Sequence, residues 1–190
     1  MISAILLAAG QSKRMDGENK LTKEIQGTPL IKHSVKNILA SSIDELIVVL
    51  GYQKEIIEKL IDKNKKIKFV FNKDFESGMA SSIKVGLNHL SKNTEYFFIC
   101  LGDMPMVNSD IYNQLIKSRN QKNIIVPTYN GQQGNPVLFD KSMKEKVMDI
   151  TGDVGAKKIL ELNKDKILNL EINDQSITKD FNTQGDFSSL

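Results

Sequence analysis

The chain has 190 residues, a formal net charge of +3 at pH 7, 40% hydrophobic residues and 26% charged residues. This composition is that of a globular protein with a core of ordinary size, and the length predicts one domain over residues 1–190. Interspersed charges and 6% aromatic residues argue against a nucleic-acid partner, and no apolar run is long enough to span a membrane, so we expect a cytoplasmic protein.

Short apolar segments alternate with segments of helical periodicity through most of the chain. Strands are predicted at residues 3–8, 45–51, 66–72, 96–103 and 123–128, and helices between them at 29–41, 53–63, 79–90 and 109–120. The last third predicts a short strand at 134–139, helical segments at 141–150 and 153–163, and a final strand at 166–172. Because the main strand segments are apolar throughout, the pattern predicts an α/β fold whose mostly parallel sheet is covered by helices on both faces.

Three unusual segments follow predicted strands: "AAGQSKR" after the first, "NKDFESGMASS" after the third and "GDMP" after the fourth. Ligands of open α/β sheets bind beyond the carboxyl ends of the parallel strands. We therefore expect these three segments to meet at one crevice.

The first of these segments combines small residues with cations. Its glycine spacing matches neither the P-loop nor the dinucleotide-binding fingerprint, which excludes the two commonest phosphate loops. Ala8, Ala9 and Gly10 would let phosphate oxygens approach free backbone amides, and Lys13, Arg14 and Lys20 would add positive charge. A tight turn with solvated cations explains the same residues, so the segment alone leaves both interpretations open.

Asp103 directly follows the predicted strand "YFFICL" and Gly102. A carboxylate that faces a crevice with phosphate-binding groups suits Mg²⁺, which binds one or two carboxylates together with substrate phosphates. A turn aspartate that caps the next helix is the alternative.

Gly78, Ser81 and Ser82 stand at the head of a predicted helix. Hydroxyl groups and unpaired amides at such a position can bind a ligand. Helix capping explains one of the serines without any ligand.

Three segments of the last third have a structural explanation beside a functional one. "GQQGNPVLF" fits a hairpin or a corner, with Asn135 as a candidate substrate contact, and "TGDVGAKKIL" fits an ordinary helix start. "KDFNTQGDF" places Asp180, Asn182 and Asp186 close together, either as oxygen ligands or as a polar tail.

The sequence offers no clear nucleophile for covalent catalysis. Cys100, the single cysteine, lies in an apolar strand segment and is predicted to be a buried thiol. His33 and His89 lie in predicted helices without a cysteine or serine partner, and we expect surface or hydrogen-bonded side chains. Neither an H-E-x-x-H motif nor a serine elbow is present, which argues against a hydrolase.

Several segments, taken together, resemble the small nucleotidyltransferases that act on the molybdenum cofactor, particularly the cytidylyltransferase branch. Residues 7–15 match the family pattern L-A-A-G-x-S-x-R-M, Lys20 its lysine, residues 78–82 its G-M-x-x-S, and residues 102–105 its G-D-M-P. Further matches are "GNPVLF", "GDVGA" and "DFNTQGD". The resemblance covers nearly the whole chain.

Three positions depart from the family pattern. Asn135 replaces the usual histidine, Asn182 replaces an aspartate, and Asp16 stands where a glycine usually follows the methionine. The carbonyl oxygen of an asparagine still coordinates Mg²⁺, so the change at residue 182 retains a ligand and removes one negative charge.

The resemblance implies a three-layer α/β/α fold similar to a Rossmann domain, and transfer of CMP from CTP to molybdopterin with release of pyrophosphate. The acceptor phosphate would attack the α-phosphorus in line, with positioning and charge stabilisation in place of a protein nucleophile. The implied cofactor is Mg²⁺, with Mn²⁺ as a substitute.

The resemblance also implies roles for individual residues. Arg14, Lys20 and Asp103 would be catalytic, and Asp103 and Asn182 would be metal ligands. The implied nucleotide-binding residues are Leu7, Ala8, Ala9, Gly10, Arg14, Lys20, Gly78, Ser81, Ser82, Gly102 and Asp103. The implied acceptor-binding residues are Met104, Pro105, Gly134, Asn135 and Pro136.

Three alternatives stay open. A guanylyltransferase acting on the same cofactor differs in a few base contacts, and transfer to a sugar phosphate or another phosphorylated acceptor uses a similar loop and metal aspartate. The third alternative is a non-catalytic carrier of the finished cofactor, against which the presence of both Lys20 and Asp103 argues. Besides its small-molecule substrates, we expect at most a transient contact with a molybdoenzyme or its chaperone.

Overall fold

A computed structural model describes residues 1–12, 18–153 and 155–181. In this part of the chain a mixed sheet is covered by helices on both faces, which confirms the predicted α/β class. The strands are β1 (Ile2–Ala8), β2 (Glu24–Ile25), β3 (Thr28–Pro29), β4 (Glu45–Leu50), β5 (Ile67–Phe71), β6 (Tyr96–Leu101), β7 (Ile124–Tyr129), β8 (Gln132–Gln133), β9 (Val137–Asp140) and β10 (Ile167–Glu171). The α-helices are α1 (Leu30–Leu39), α2 (Lys54–Leu60), α3 (Met79–Asn88), α4 (Ser109–Lys117), α5 (Lys144–Met148) and α6 (Lys157–Leu162).

The main sheet has the strand order β10-β7-β9-β6-β1-β4-β5, and β8 pairs with β7. Strand β1 is parallel to both of its neighbours, β4 and β6, and the pairs β4–β5 and β7–β10 are also parallel. The antiparallel strands are β9, which lies between β6 and β7, and the two-residue β8. The predicted mostly parallel sheet is therefore confirmed, with β9 as an inserted antiparallel strand.

Two apolar cores separate the sheet from its helices, because consecutive side chains of a strand point to opposite faces. On β1, Leu6 packs with residues of α1, α2 and α4, whereas Ile5 packs with residues of α3, α5 and α6. Helix α3 lies very close to the sheet, since a Cβ at Gly86 would be 2.3 Å from Ile5 Cγ2. This packing gives the three α/β/α layers.

The sequence did not predict the hairpin β2–β3 or strand β8. Their strands have two residues each, which is too short for an alternating pattern. The turn of the β2–β3 hairpin consists of Gln26 and Gly27, with φ values of 51° and 73°. Two consecutive positive φ values are typical of a type I′ turn.

The structure agrees with the expectations for the cysteine and the histidines. Burial raises the pKa of the Cys100 thiol to about 12, so the thiol stays protonated at neutral pH. His33 Nε2 and His89 Nδ1 lie 3.1 Å and 2.8 Å from backbone carbonyl oxygens. Among the described residues, no helix combines the length and the apolar character needed to cross a bilayer.

Candidate active site

A cleft of about 380 Å³ opens at the carboxyl ends of β1 and β6, beside the N-terminus of α3. It brings together the three segments that were expected to meet. The sequence-predicted residues that line it are Leu7, Ala9, Gly10, Lys20, Gly78, Ser82 and Asp103. Ala8, Ser81 and Gly102 adjoin these residues in the chain without lining the cleft, and Arg14 and Asn182 lie outside the described residues.

The loop after β1 forms part of the cleft with its backbone. Ala9 is buried, its carbonyl accepts a hydrogen bond from the amide of Tyr52 (3.1 Å), and a Cβ at Gly51 would lie 2.7 Å from the Ala9 Cβ. Gly10 differs, because it is exposed and a Cβ built on it would meet no atom within 4 Å. Neither packing nor a positive φ requires glycine at residue 10. The close approach of a ligand to the backbone is therefore the favoured explanation for a glycine there.

Lys20 and Asp103 form an ion pair in the cleft. The distance from Lys20 Nζ to Asp103 Oδ2 is 2.5 Å, and the side chains are 19% and 15% exposed. The amide of Lys20 also donates to Ser12 Oγ (3.1 Å), which ties the lysine to the loop after β1. A cation and a carboxylate are thus held side by side in the cleft that Gly10 also lines, and the cation of such a pair can stabilise negative charge on a phosphate group.

Asp103 is positioned by its neighbours in "GDMP" and by α1. The amide of Gly102 donates to the carbonyl of Leu7 (3.1 Å), and a Cβ at residue 102 would lie 2.9 Å from that oxygen. Ser34 Oγ donates to the carbonyl of Gly102 (2.9 Å), and Asn37 Nδ2 donates to that of Pro105 (2.9 Å). Sequence reasoning missed Ser34 and Asn37, whose only signal is a polar residue on each of two successive turns of an amphipathic helix.

The start of α3 is packed against residues 152 and 153. Gly78 has φ 106° and ψ 173°, and a Cβ there would lie 2.8 Å from the carbonyl oxygen of Gly152. The amide of Ala80 donates to this same oxygen (3.1 Å), and the amide of Met79 donates to Asp153 Oδ1 (3.0 Å). "TGDVGA" was expected to start its own helix, but Asp153 instead caps α3 and lines the cleft.

The two serines of α3 are bonded to Asn72, a residue that the sequence reasoning did not single out. Asn72 is 1% exposed, and its Nδ2 donates to Ser81 Oγ (2.8 Å) and to Ser82 Oγ (2.9 Å). Ser81 donates its own hydrogen to the carbonyl of Gly78 (2.8 Å). Ser82 lines the cleft, and within the described residues its hydroxyl hydrogen has no acceptor, so Ser82 is the serine that retains a donor for a ligand.

The candidate acceptor-binding residues do not line the cleft. Met104, Pro105, Gly134 and Pro136 are buried, and Asn135 is half-buried. The amide of Asn135 donates to the carbonyl of Ile177 (2.8 Å), and the amide of Phe181 donates to the carbonyl of Asp103 (3.0 Å). The segment from Ile177 to Phe181 therefore connects the Asn135 region to Asp103.

Gly78→Ala is expected to lower the free energy of unfolding by about 3 kcal/mol, since it combines a φ that only glycine adopts readily with a backbone clash. Gly27→Ala is the matched control, because φ at Gly27 is also positive but its Cβ would meet nothing within 4 Å. Urea denaturation of both variants measures the difference. Equal losses would show that the contact with Gly152 does not constrain residue 78.

Comparison with known proteins identifies the family. Residues 4–168 match the model of the MobA-like NTP transferase domain. The chain belongs to this family. Its members are nucleotidyltransferases, which agrees with a cleft that holds a lysine–aspartate pair and no accessible thiol.

Two curated relatives show different degrees of overlap with the chain. The molybdenum cofactor cytidylyltransferase of Escherichia coli is 28% identical over 186 residues, which cover 98% of this chain and 93% of that protein. A probable molybdenum cofactor guanylyltransferase of Methanosarcina acetivorans is 32% identical over 131 residues, which cover 67% of this chain and 57% of that protein. The alignment thus spans little more than half of the guanylyltransferase.

A solved structure confirms the fold. Rv0371c of Mycobacterium tuberculosis superposes with a TM-score of 0.88 at 22% sequence identity, with 99% of this chain and 96% of that chain covered. The same protein has been solved in complex with manganese, and this structure gives a TM-score of 0.82 at 20% identity with 100% and 97% of the two chains covered.

Proposed function

We propose that this protein transfers CMP from CTP to molybdopterin and releases pyrophosphate. The observation that carries the reaction type is the Lys20–Asp103 pair beside the exposed Gly10, at the carboxyl ends of β1 and β6. Support for the cytidylyl branch comes from the alignment with the Escherichia coli cytidylyltransferase, which covers both chains almost completely.

The reaction needs positioned charge and no protein nucleophile. An oxygen of the acceptor phosphate attacks the α-phosphorus of the NTP, and the bond from that phosphorus to the β-phosphate oxygen breaks as pyrophosphate leaves. Lys20 would stabilise the negative charge that develops around the α-phosphate, and the amides near Gly10 would hold the outer phosphates. Arg14 is proposed to add charge beside the triphosphate.

The charges of the cleft fit a divalent cation. The described charged residues that line it are Lys20, Glu76, Asp103 and Asp153, which together favour cations over a polyphosphate. No group of three metal-ligating side chains occurs among the described residues, but Mg²⁺ needs only one or two carboxylates together with substrate phosphates. Asp103 would hold the ion, with Asn182 as the second proposed ligand.

The ion, when bound, would neutralise charge on the phosphates. Mg²⁺ is the proposed ion, and Mn²⁺ is a substitute because a protein of the same fold has been solved with manganese. Met104, Pro105, Gly134, Asn135 and Pro136 are proposed to border the acceptor.

A guanylyltransferase is the second candidate function. The observation in its favour is the 32% identity with the Methanosarcina acetivorans protein, which is higher than the 28% identity with the cytidylyltransferase although it extends over fewer residues. The two candidates differ in the base that the cleft accepts.

The test is pyrophosphate release with molybdopterin and each of the four NTPs, with Mg²⁺, with Mn²⁺ and without divalent cation. We expect CTP to be used at least about tenfold faster than GTP, since discrimination between bases rests on a few hydrogen bonds of about 1–3 kcal/mol. Faster turnover with GTP would establish the second candidate. If no NTP gave pyrophosphate release, both candidate functions would be contradicted. Full activity without a divalent cation would contradict the proposed role of the metal ion.

A further inference from the structure

The N-terminus of α3 borders the cleft, but its first amides are already occupied. Those of Met79 and Ala80 donate to Asp153 Oδ1 (3.0 Å) and to the carbonyl of Gly152 (3.1 Å). The amide of Ser81 donates to the carbonyl of Gly78 (3.2 Å). These three donors are therefore not available to a phosphate group, although unpaired amides at helix N-termini commonly bind phosphate.

Asp153 adds a negative charge at the same place. Its Oδ1 caps α3, and Asp153 also lines the cleft. Within the described residues, the second carboxylate oxygen has no hydrogen-bond partner. An ionised carboxylate only accepts hydrogen bonds, so this oxygen attracts hydroxyl and amino groups and repels phosphate.

The position of Asp153 is fixed by glycines on both sides of the contact. A Cβ at Gly78 would lie 2.9 Å from the amide nitrogen of Asp153, and a Cβ at Gly155 would lie 2.7 Å from Met79 Sδ. The loop is thus packed directly on the helix end, so the exposed Asp153 carboxylate is held beside α3 by its hydrogen bond to the Met79 amide.

The positive charge of the cleft belongs to a different group of residues. Lys20 pairs with Asp103 and is hydrogen-bonded through its amide to Ser12, in the loop after β1. The described part of the cleft therefore has a cationic group with an exposed glycine at the loop after β1, and a fixed hydrogen-bond acceptor at α3.

We propose that Asp153 determines the direction in which a nucleoside triphosphate lies in the cleft. Its second oxygen accepts a hydrogen bond from the nucleoside end, through a ribose hydroxyl or a base amino group. Its charge keeps the polyphosphate at Lys20 and the loop after β1. This inference rests on the proposed function for the identity of the ligand as an NTP, and it makes Asp153 a specificity-determining residue.

Asp153→Asn separates the two roles of the carboxylate. The amide oxygen of asparagine retains the cap on Met79, whereas the amide nitrogen replaces the acceptor by a donor and removes the charge. The measurement is the affinity of the full chain for CTP and for inorganic tripolyphosphate with Mg²⁺, by calorimetry, without acceptor. The ratio of the two affinities isolates the nucleoside contact, because both ligands carry phosphates.

In Asp153→Asn we expect tripolyphosphate to bind about fivefold more tightly, and the preference for CTP over tripolyphosphate to fall about tenfold. Asp149→Asn is the matched control, since Asp149 is exposed like Asp153 and carries the same charge but does not line the cleft. Glu76→Gln removes another carboxylate that lines the cleft. An unchanged preference in Asp153→Asn, or an equal fall in either of the other variants, would overturn the proposal.

Analogues identify the donor on the nucleoside. The 2′-deoxy and 3′-deoxy forms of CTP each lack one ribose hydroxyl, and UTP lacks the amino group of cytosine. We expect one of them to bind the wild-type protein about tenfold more weakly than CTP, and to bind Asp153→Asn as well as CTP does. If every analogue binds the wild-type protein as tightly as CTP, the nucleoside contact is refuted.

Melting temperatures distinguish the specificity role from a purely structural one. The melting temperature of Asp153→Asn should equal that of the wild type. Asp153→Ala also loses the cap on Met79, so its melting temperature should be about 2–4 °C lower. A wild type that prefers CTP through Asp153 but releases no pyrophosphate with molybdopterin would refute the proposed acceptor and support the inference. Normal turnover with an unchanged preference in Asp153→Asn would refute the inference alone, and a wild type that binds no NTP would refute both.

Discussion

Asp103→Ala is expected to lower the rate of pyrophosphate release by about a hundredfold or more in a protein that still folds. Asp103 Oδ2 lies 2.5 Å from Lys20 Nζ in the cleft, so the substitution removes the proposed metal ligand and the partner of the proposed catalytic cation. Initial rates with CTP, molybdopterin and Mg²⁺ measure the effect. Lys20→Met should reduce the rate by a similar factor, because it removes the charge that opposes the developing negative charge on the α-phosphate.

The exposed ion pair between Lys32 and Asp62 provides the control for this result. The distance between Lys32 Nζ and Asp62 Oδ2 is 3.2 Å and the Asp62 side chain is 88% exposed, so Asp62→Ala breaks a lysine–aspartate pair that lies outside the cleft. Such pairs contribute little to stability, and we expect the rate to stay at the wild-type level. If Asp103→Ala kept nearly full turnover in a folded protein, the assignment of the site would be wrong.

Gly134→Ala is expected to lower the free energy of unfolding by about 2 kcal/mol or more. A Cβ at residue 134 would lie 2.3 Å from the carbonyl oxygen of Ile177, a backbone atom that cannot rotate away. The segment that begins there continues to Phe181, whose amide is bonded to the carbonyl of Asp103. Displacing the segment should therefore also reduce turnover, by about fivefold or more, because Asp103 loses its position. Urea denaturation and pyrophosphate release measure the two effects.

Gly131→Ala is the comparison for this prediction. Its φ is 78°, but a Cβ there would meet no atom within 4 Å. We expect a loss of about 1 kcal/mol from backbone strain and an unchanged rate. A rate reduced equally in both variants would show that the contact of Gly134 with Ile177 does not act on the site.

The sequence predicted the elements that carry a strong local pattern. The apolar runs of β1, β4 and β6 and the helical periodicity of α1, α3 and α4 gave the α/β class and a mostly parallel sheet. The rule that ligands bind at the carboxyl ends of parallel strands then predicts that Gly10, Gly78 and Asp103 meet at one crevice, and all three line the cleft.

The features that the sequence could not predict depend on contacts between distant segments. In the sequence, Asp153 fits the start of the helix that follows it. Only the folded chain shows that its Oδ1 accepts a hydrogen bond from the amide of Met79. Asn72 and Ser34 carry no motif, because each acts by bonding to a residue of another segment. The sequence also does not predict the direction of β9, because a short apolar run does not show whether the strand is parallel or antiparallel to its neighbours.

Strand β9 has a consequence for any incomplete form of the chain. Strands β5, β4, β1 and β6 pair among themselves within residues 2–101, whereas the remaining side of β6 is covered by Val137–Asp140. A fragment that stops before residue 137, or a nascent chain of that length, leaves the backbone of "YFFICL" as an open edge. Apolar open edges pair readily with other chains. The antiparallel insertion therefore also covers a backbone edge of β6 that would otherwise be open to other chains, and this edge stays open until residues 137–140 have been synthesised.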